Sequence, residues 1–279
     1  MKSMLNTLCM VGLASAMTAC TQAASFGDNG SGALNGSQSV GTGGNGTNPG
    51  GTTPPGPTCS TNLGTTKELT KMLFIVDMSG SNQSGPGCTV GPNCSDPNKA
   101  MRAGSIQKFF NDYGTRSNFQ WGFEVFNGTT STPLMKSASG MPDFGGAAAM
   151  QSAINTFVGM TDMDNTPYMA ALSTAYTTIQ NDPDLHAGTD PQYIVVFMSD
   201  GQPTDSTSTS AITSAVSSLV NLLPGKITFN TVYYGNNDAM AAGLIQSMAQ
   251  TGGGNFLNTA TNPMGLDFSI SDLIVVPCP

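Results

Sequence analysis

Three short segments hold the residue types that bind hard cations. Asp77-Met78-Ser79-Gly80-Ser81 sets a carboxylate and two hydroxyls at alternate positions, Asp164-Asn165-Thr166-Pro167 adds another hydroxyl, and Ser199-Asp200-Gly201-Gln202-Pro203 adds a second carboxylate. Ions such as Mg²⁺ take oxygen donors in octahedral geometry and keep part of their water. Neutral hydroxyls cancel little of the +2 charge, so an ion held mainly by them stays attractive to one more anionic ligand. Gly80 and Gly201 let the backbone turn closely around such an ion. Each segment alone has an ordinary reading: D-x-S-x-S makes an Asx turn with capping serines, and Thr166 makes a helix N-cap. What distinguishes them is the element each one follows.

Those elements alternate. Met72 to Val76 and Tyr193 to Met198 are continuous apolar runs, as in strands covered on both faces. Phe119 to Phe126 and Ile227 to Tyr234 read as further strands, with short ones at Pro133 to Ser137 on an edge and at Asn255 to Leu257. Helical spacing marks Lys99 to Tyr113, Ala147 to Val158, Pro167 to Gln180, Ser210 to Leu222, Ala239 to Gln250 and a closing Leu266 to Ile274. This order predicts an α/β fold: a doubly wound, mostly parallel, Rossmann-like sheet of five to six strands between helix layers. In such sheets ligands bind beyond the carboxyl ends of the strands, which is where Asp77 and Asp200 fall.

With those positions in place, the chain from Cys59 to Cys278 resembles the von Willebrand factor A (vWA) domain and its metal-ion-dependent adhesion site. That family's pattern is D-x-S-x-S, then a Thr, then the Asp of a T/S-D-G turn, and Asp77, Ser79, Ser81, Thr166 and Asp200 fill it in order. The resemblance implies Mg²⁺, or Mn²⁺ or Ca²⁺, held by the hydroxyls of Ser79, Ser81 and Thr166, with Asp77 and Asp200 ligating directly or through water. It also implies a protein partner that offers an acidic side chain to the ion, and hence adhesion or protein binding rather than catalysis. Two other readings stay open: an envelope scaffold with a structural metal, and a metal-assisted hydrolase built on Asp77 and Asp200.

The beginning of the chain looks unlike the rest. Lys2 precedes a short apolar stretch and small residues, the pattern of an export signal over residues 1–19. Met17-Thr18-Ala19-Cys20 resembles the bacterial lipobox, with Met17 where that motif usually has Leu. It implies an acylated Cys20, a membrane-tethered protein, and an outer-membrane destination because Thr21 is not Asp; secretion after ordinary cleavage is the alternative. Residues 20–58 are rich in Gly, Ser, Thr, Asn and Pro, a tether without a core, and residues 59–279 form the folded domain. Apart from Cys9 and Cys20, four cysteines remain, with three possible pairings. Cys88-Cys94 with Cys59-Cys278 is favoured: the first staples a long loop beside the metal, and the second joins the domain's ends, as in several extracellular members of the family.

Only 9% of residues are charged and the net charge is -8, which argues against nucleic-acid binding. Gly41, Gly43 and Gly46 fit a dinucleotide fingerprint but lack the strand and helix it needs. The single histidine, His186, reads as a solvated loop residue, and the sequence has neither a G-x-S-x-G elbow nor a P-loop. Trp121 reads as core, and Asp162 and Asp164 as solvated loop carboxylates.

Overall fold

The computed structural model describes residues 68–82, 94–235 and 238–259. The export signal, Cys20, the 20–58 tether, Cys59, Cys88, Cys278 and the expected helix Leu266 to Ile274 lie outside the described residues. Six strands form one sheet: β1 (Thr70–Asp77), β2 (Phe119–Asn127), β3 (Thr130–Pro133), β4 (Gln192–Ser199), β5 (Ile227–Tyr233) and β6 (Gly253–Asn258). Their spatial order is β3-β2-β1-β4-β5-β6. Pairing is parallel except between β2 and β3. The doubly wound, mostly parallel sheet expected from the alternation is present.

The helices are α1 (Ala100–Tyr113), α2 (Ala147–Gly159), α3 (Tyr168–Gln180), the short α4 (Pro183–His186), α5 (Thr209–Val220) and α6 (Ala239–Thr251). Every residue of β1 is buried, and side-chain alternation sends its apolar residues into two layers. Met72, Phe74 and Val76 pack with Ile106 and Phe109 of α1 and with Phe157 of α2. Leu73 and Ile75 pack on the opposite face, in the layer that contains Leu172 of α3, Val216 of α5 and Ile245 of α6. Trp121 is fully buried, with Phe109 and Phe110 edge-on to its ring at 6.0 and 5.3 Å between centroids, so it belongs to the core as expected.

Three local expectations are corrected. The edge strand is Thr130–Pro133 rather than Pro133 to Ser137, because Gly128, at φ 60°, closes a two-residue turn and Asn127 pairs directly with Thr130. Pro133, which has no N–H to donate, ends that strand. Helix α3 begins at Tyr168 with Pro167 as its N-cap, so Thr166 does not cap it. His186, read as a loop residue, instead ends the short helix α4, which is capped by the Asp182 carboxylate accepting from the Asp184 N–H at 3.1 Å.

At the start of β1, Lys71 is buried against both oxygens of Asp182, at 2.6 and 2.7 Å, and against Asp184 at 2.6 Å. The Tyr193 hydroxyl also donates to Asp182, at 2.9 Å. Glu124 in β2 has no such compensation: it is buried, and neither carboxyl oxygen has a hydrogen-bond partner. Burial alone holds its pKa well above the ordinary value. The folded chain therefore keeps a proton there that the unfolded chain loses near pH 4.5, and the stability tied to Glu124 falls as pH rises beyond that point. Replacing Glu124 by Leu should raise the urea midpoint at pH 8, reflecting a gain in unfolding free energy on the order of 1–3 kcal/mol. The gap should narrow toward pH 5, and equal gaps at both pH values would refute burial of a charge as the cause.

Candidate metal centre

Strand order reverses between β1 and β4, which lie side by side with their carboxyl ends at the same rim. Asp77 ends β1, and Asp200 directly follows β4. The Asp77 carboxylate is fully buried: Oδ1 accepts from the Ser79 N–H at 2.7 Å, and Oδ2 accepts from the Ser199 hydroxyl. The Ser79 and Ser81 hydroxyls lie 3.0 Å apart, and Ser81 donates to Asp200 Oδ1 at 2.9 Å. Four of the five expected ligands, Asp77, Ser79, Ser81 and Asp200, therefore form one cluster of oxygens.

Thr166 is brought to the rim by its backbone. Its N–H donates to the Thr204 hydroxyl at 3.0 Å, and its carbonyl accepts from the Thr204 N–H at 2.9 Å, tying its loop to the one after Asp200. The same loop is fastened to the β1 turn by Met163 N–H to Met78 O and Gly80 N–H to Asp164 O, both 2.9 Å. Gly128 N–H to Asn165 O at 3.0 Å fastens it to the end of β2. Tyr168, buried at the start of α3, donates its hydroxyl to Gly201 O at 2.6 Å. Gly235 passes so close that a Cβ there would sit 2.0 Å from Asp200 O, so only glycine fits.

Beneath the rim lies an ionic cluster that the sequence expectations do not contain. Asp162, expected to be solvated, is 5% exposed and accepts two bonds from the Arg102 guanidinium, at 3.1 and 3.0 Å. Arg102 is fully buried, binds Asp96 through Nε at 2.8 Å, and donates from Nη1 to the carbonyl of Asp77. Lys99 approaches Asp162 at 3.5 Å and donates to Met160 O at 2.7 Å. Asp164 is exposed, as expected. A signal for this cluster exists in the sequence: Arg102 precedes Ile106, Phe109 and Tyr113 at helical spacing, on the apolar stripe, and Asp96-Pro97 marks a helix start. Ser199, Asn82 and Ser95 also belong to the site's surroundings, and Ser95 N–H donates to Ser81 O at 3.2 Å. Cys94, next to Ser95, is disulfide-bonded; every other cysteine lies outside the described residues.

Burial, then the charge of Asp200, pushes the Asp77 carboxyl up to about 7, against the bonds from Ser199 and Ser79. Burial also raises Asp200, opposed by hydroxyls of Ser95 and Ser81 and by the Arg102 charge. Asp200 Oδ2 is buried without a hydrogen-bond partner. A buried Asp77 carboxyl raised further by the charge of Asp200, an orphaned Asp200 oxygen and serine hydroxyls between them fit a hard divalent cation. Among the described residues no three His, Cys, Asp or Glu side chains cluster to hold a metal, so such an ion would rely on two carboxylates, hydroxyls and water.

No protein-family model matches the sequence, and comparison with curated proteins finds no match. Among solved structures, the chain is similar to the vWF domain of the type V pili tip protein Mfa5 from Porphyromonas gingivalis, at TM-score 0.50 and 11% identity, covering 75% of this chain and 97% of that one. The fold is that of a von Willebrand factor A domain. The chain is also similar to a D319A mutant of the PilB minor pilin from Streptococcus sanguinis, at TM-score 0.51 and 10% identity over 72% of this chain. A third similar structure is the pilus adhesin SpaC from Lactobacillus rhamnosus GG, at TM-score 0.50 and 13% identity over 69% of this chain. The chain spans less than two thirds of these two, 59% of the pilin and 29% of the adhesin.

Asp77→Asn keeps an acceptor for the Ser79 N–H and can donate to Ser199, but it carries no charge. With an Asp77 carboxyl near 7 when folded and 3.8 when unfolded, its contribution to stability falls as pH rises through that interval. In chelator at pH 8 the Asn variant should therefore unfold at higher urea than wild type, its unfolding free energy larger by up to a few kcal/mol at about 1.4 kcal/mol per pH unit. The two midpoints should converge near pH 4, and parallel pH profiles would refute the assignment.

Proposed function

We propose that this A domain binds a protein partner through a divalent cation held by Asp77, Ser79, Ser81, Thr166 and Asp200. The observation that carries the reading is the oxygen cluster from Asp77 to Asp200 at the strand-order reversal, with one buried carboxylate oxygen left unsatisfied. When bound there, the cation supplies a Lewis-acid position that favours a partner's carboxylate over water. The chain's own residues do the rest. Ser199 and the Ser79 N–H orient the Asp77 carboxylate, Ser81 orients Asp200, and Thr204 holds the Thr166 backbone in place. The pilus adhesin and pilus tip protein among similar structures support adhesion as the biological setting.

Mg²⁺ fits the hard donor set, and Mn²⁺ is its closest substitute. Calorimetric titration of the folded chain with MnCl₂ should give one site, and Ser81→Ala or Asp200→Asn should weaken it at least tenfold. A wild-type chain that takes up neither Mn²⁺ nor Mg²⁺ at millimolar concentration would overturn the reading. Partner capture from envelope extracts should need Mg²⁺, vanish in EDTA and vanish with Asp77→Ala.

We further propose display at the bacterial envelope, outer-membrane anchored through acylated Cys20, with residues 20–58 as a tether and disulfides Cys88-Cys94 and Cys59-Cys278. Cys20→Ser should release the protein from the membrane fraction, and unchanged fractionation would exclude the anchor. Intact mass before and after reduction counts the disulfides.

A further inference from the structure

We infer that Arg102 is the positioning residue that holds the two ligand-bearing loops of the cation site at their working separation. The inference rests on the proposed cation site, and its chemistry is local. The guanidinium donates to the carbonyl of Asp77, whose carboxylate lines the site, and forks onto the Asp162 carboxylate, which opens the loop leading to Thr166. Its third arm, Nε, binds Asp96 Oδ2, and the same carboxylate accepts the N–H groups of Met101 and Arg102 at 2.7 and 2.9 Å. One planar cation therefore joins the end of β1, the Thr166 loop and the start of α1.

Stability alone does not explain this placement. Arg102 lies in the first turn of α1, where the helix dipole disfavours a cation. It is fully buried, and burying a charge costs more than an apolar side chain of similar volume. Two acids, Asp96 and Asp162, and two bases, Lys99 and Arg102, make the cluster neutral, which limits that cost. Lysine at 102 would keep the charge but not the fork, since an ammonium is a point donor and cannot reach three segments in one plane. The contacts that depend on this spacing are the loop-to-loop bonds Met163 N–H to Met78 O and Gly80 N–H to Asp164 O.

The test compares Arg102→Lys with Lys71→Met, which breaks the other buried ion cluster, at the opposite end of β1. Two readouts are used: amide hydrogen exchange in chelator and Mn²⁺ affinity by calorimetry. Arg102→Lys should speed exchange of the Gly80 and Met163 amides at least tenfold and weaken Mn²⁺ at least tenfold. Lys71→Met should lower the urea midpoint while leaving both readouts within threefold of wild type. Should Arg102→Lys fail to fold, Asp162→Asn, which keeps the guanidinium but removes the charge it grips, should give the same pattern in smaller measure. Wild-type protein that binds Mn²⁺ alongside an Arg102→Lys variant with unchanged affinity and exchange would overturn the role of Arg102 alone. Wild-type protein that binds no cation would overturn the site, and unchanged exchange in chelator would then still count separately against the loop-holding role.

Discussion

Two carboxylates, Asp77 and Asp200, are withdrawn from water at the carboxyl ends of adjacent strands with serine hydroxyls between them. A charge in that position costs several kcal/mol unless something answers it. The surrounding structure supplies partial answers: the Ser199 hydroxyl and Ser79 N–H on Asp77, and the Ser81 hydroxyl on Asp200. The second oxygen of Asp200 stays unanswered, buried without a hydrogen-bond partner. The topology explains why the pair exists, since only where strand order reverses do two neighbouring strands send their following loops to opposite faces and leave a crevice between them.

Loops in such positions are usually the mobile part of a fold, but here they are joined mainly by backbone. Three bonds fasten the Thr166 loop to the β1 turn and the β2 end, and Thr204 adds two more from the side of β4. Each of these bonds is short-ranged and geometry-dependent. Together with Tyr168 on Gly201 and the close pass of Gly235 under Asp200, they make the rim preorganised, so a ligand there would not have to order it.

Much of this was legible in the sequence because its signals are local. The apolar runs before Asp77 and Ser199 mark buried parallel strands, and the residues after such strands are where doubly wound folds place ligands. What was not legible depends on long-range contacts. Asp162 reads as a solvated loop acid because its partner, Arg102, lies sixty positions earlier in the chain. Nothing in the sequence near Glu124 foretells that neighbouring elements leave it without a partner. The edge strand shifted because a two-residue turn at Gly128 sets the register, and turn geometry outranks the weak alternation that suggested Pro133 to Ser137.

Strand β1 has parallel neighbours on both sides from Thr70 to Val76, with the chain entering at Thr70 and the rim at Asp77. Tension between the entering chain and something gripping the rim runs lengthwise along this strand. In that direction the evenly spaced bonds to β2 and β4 are loaded together instead of opening one after another. A domain tugged in this way resists like a lap joint rather than a zipper.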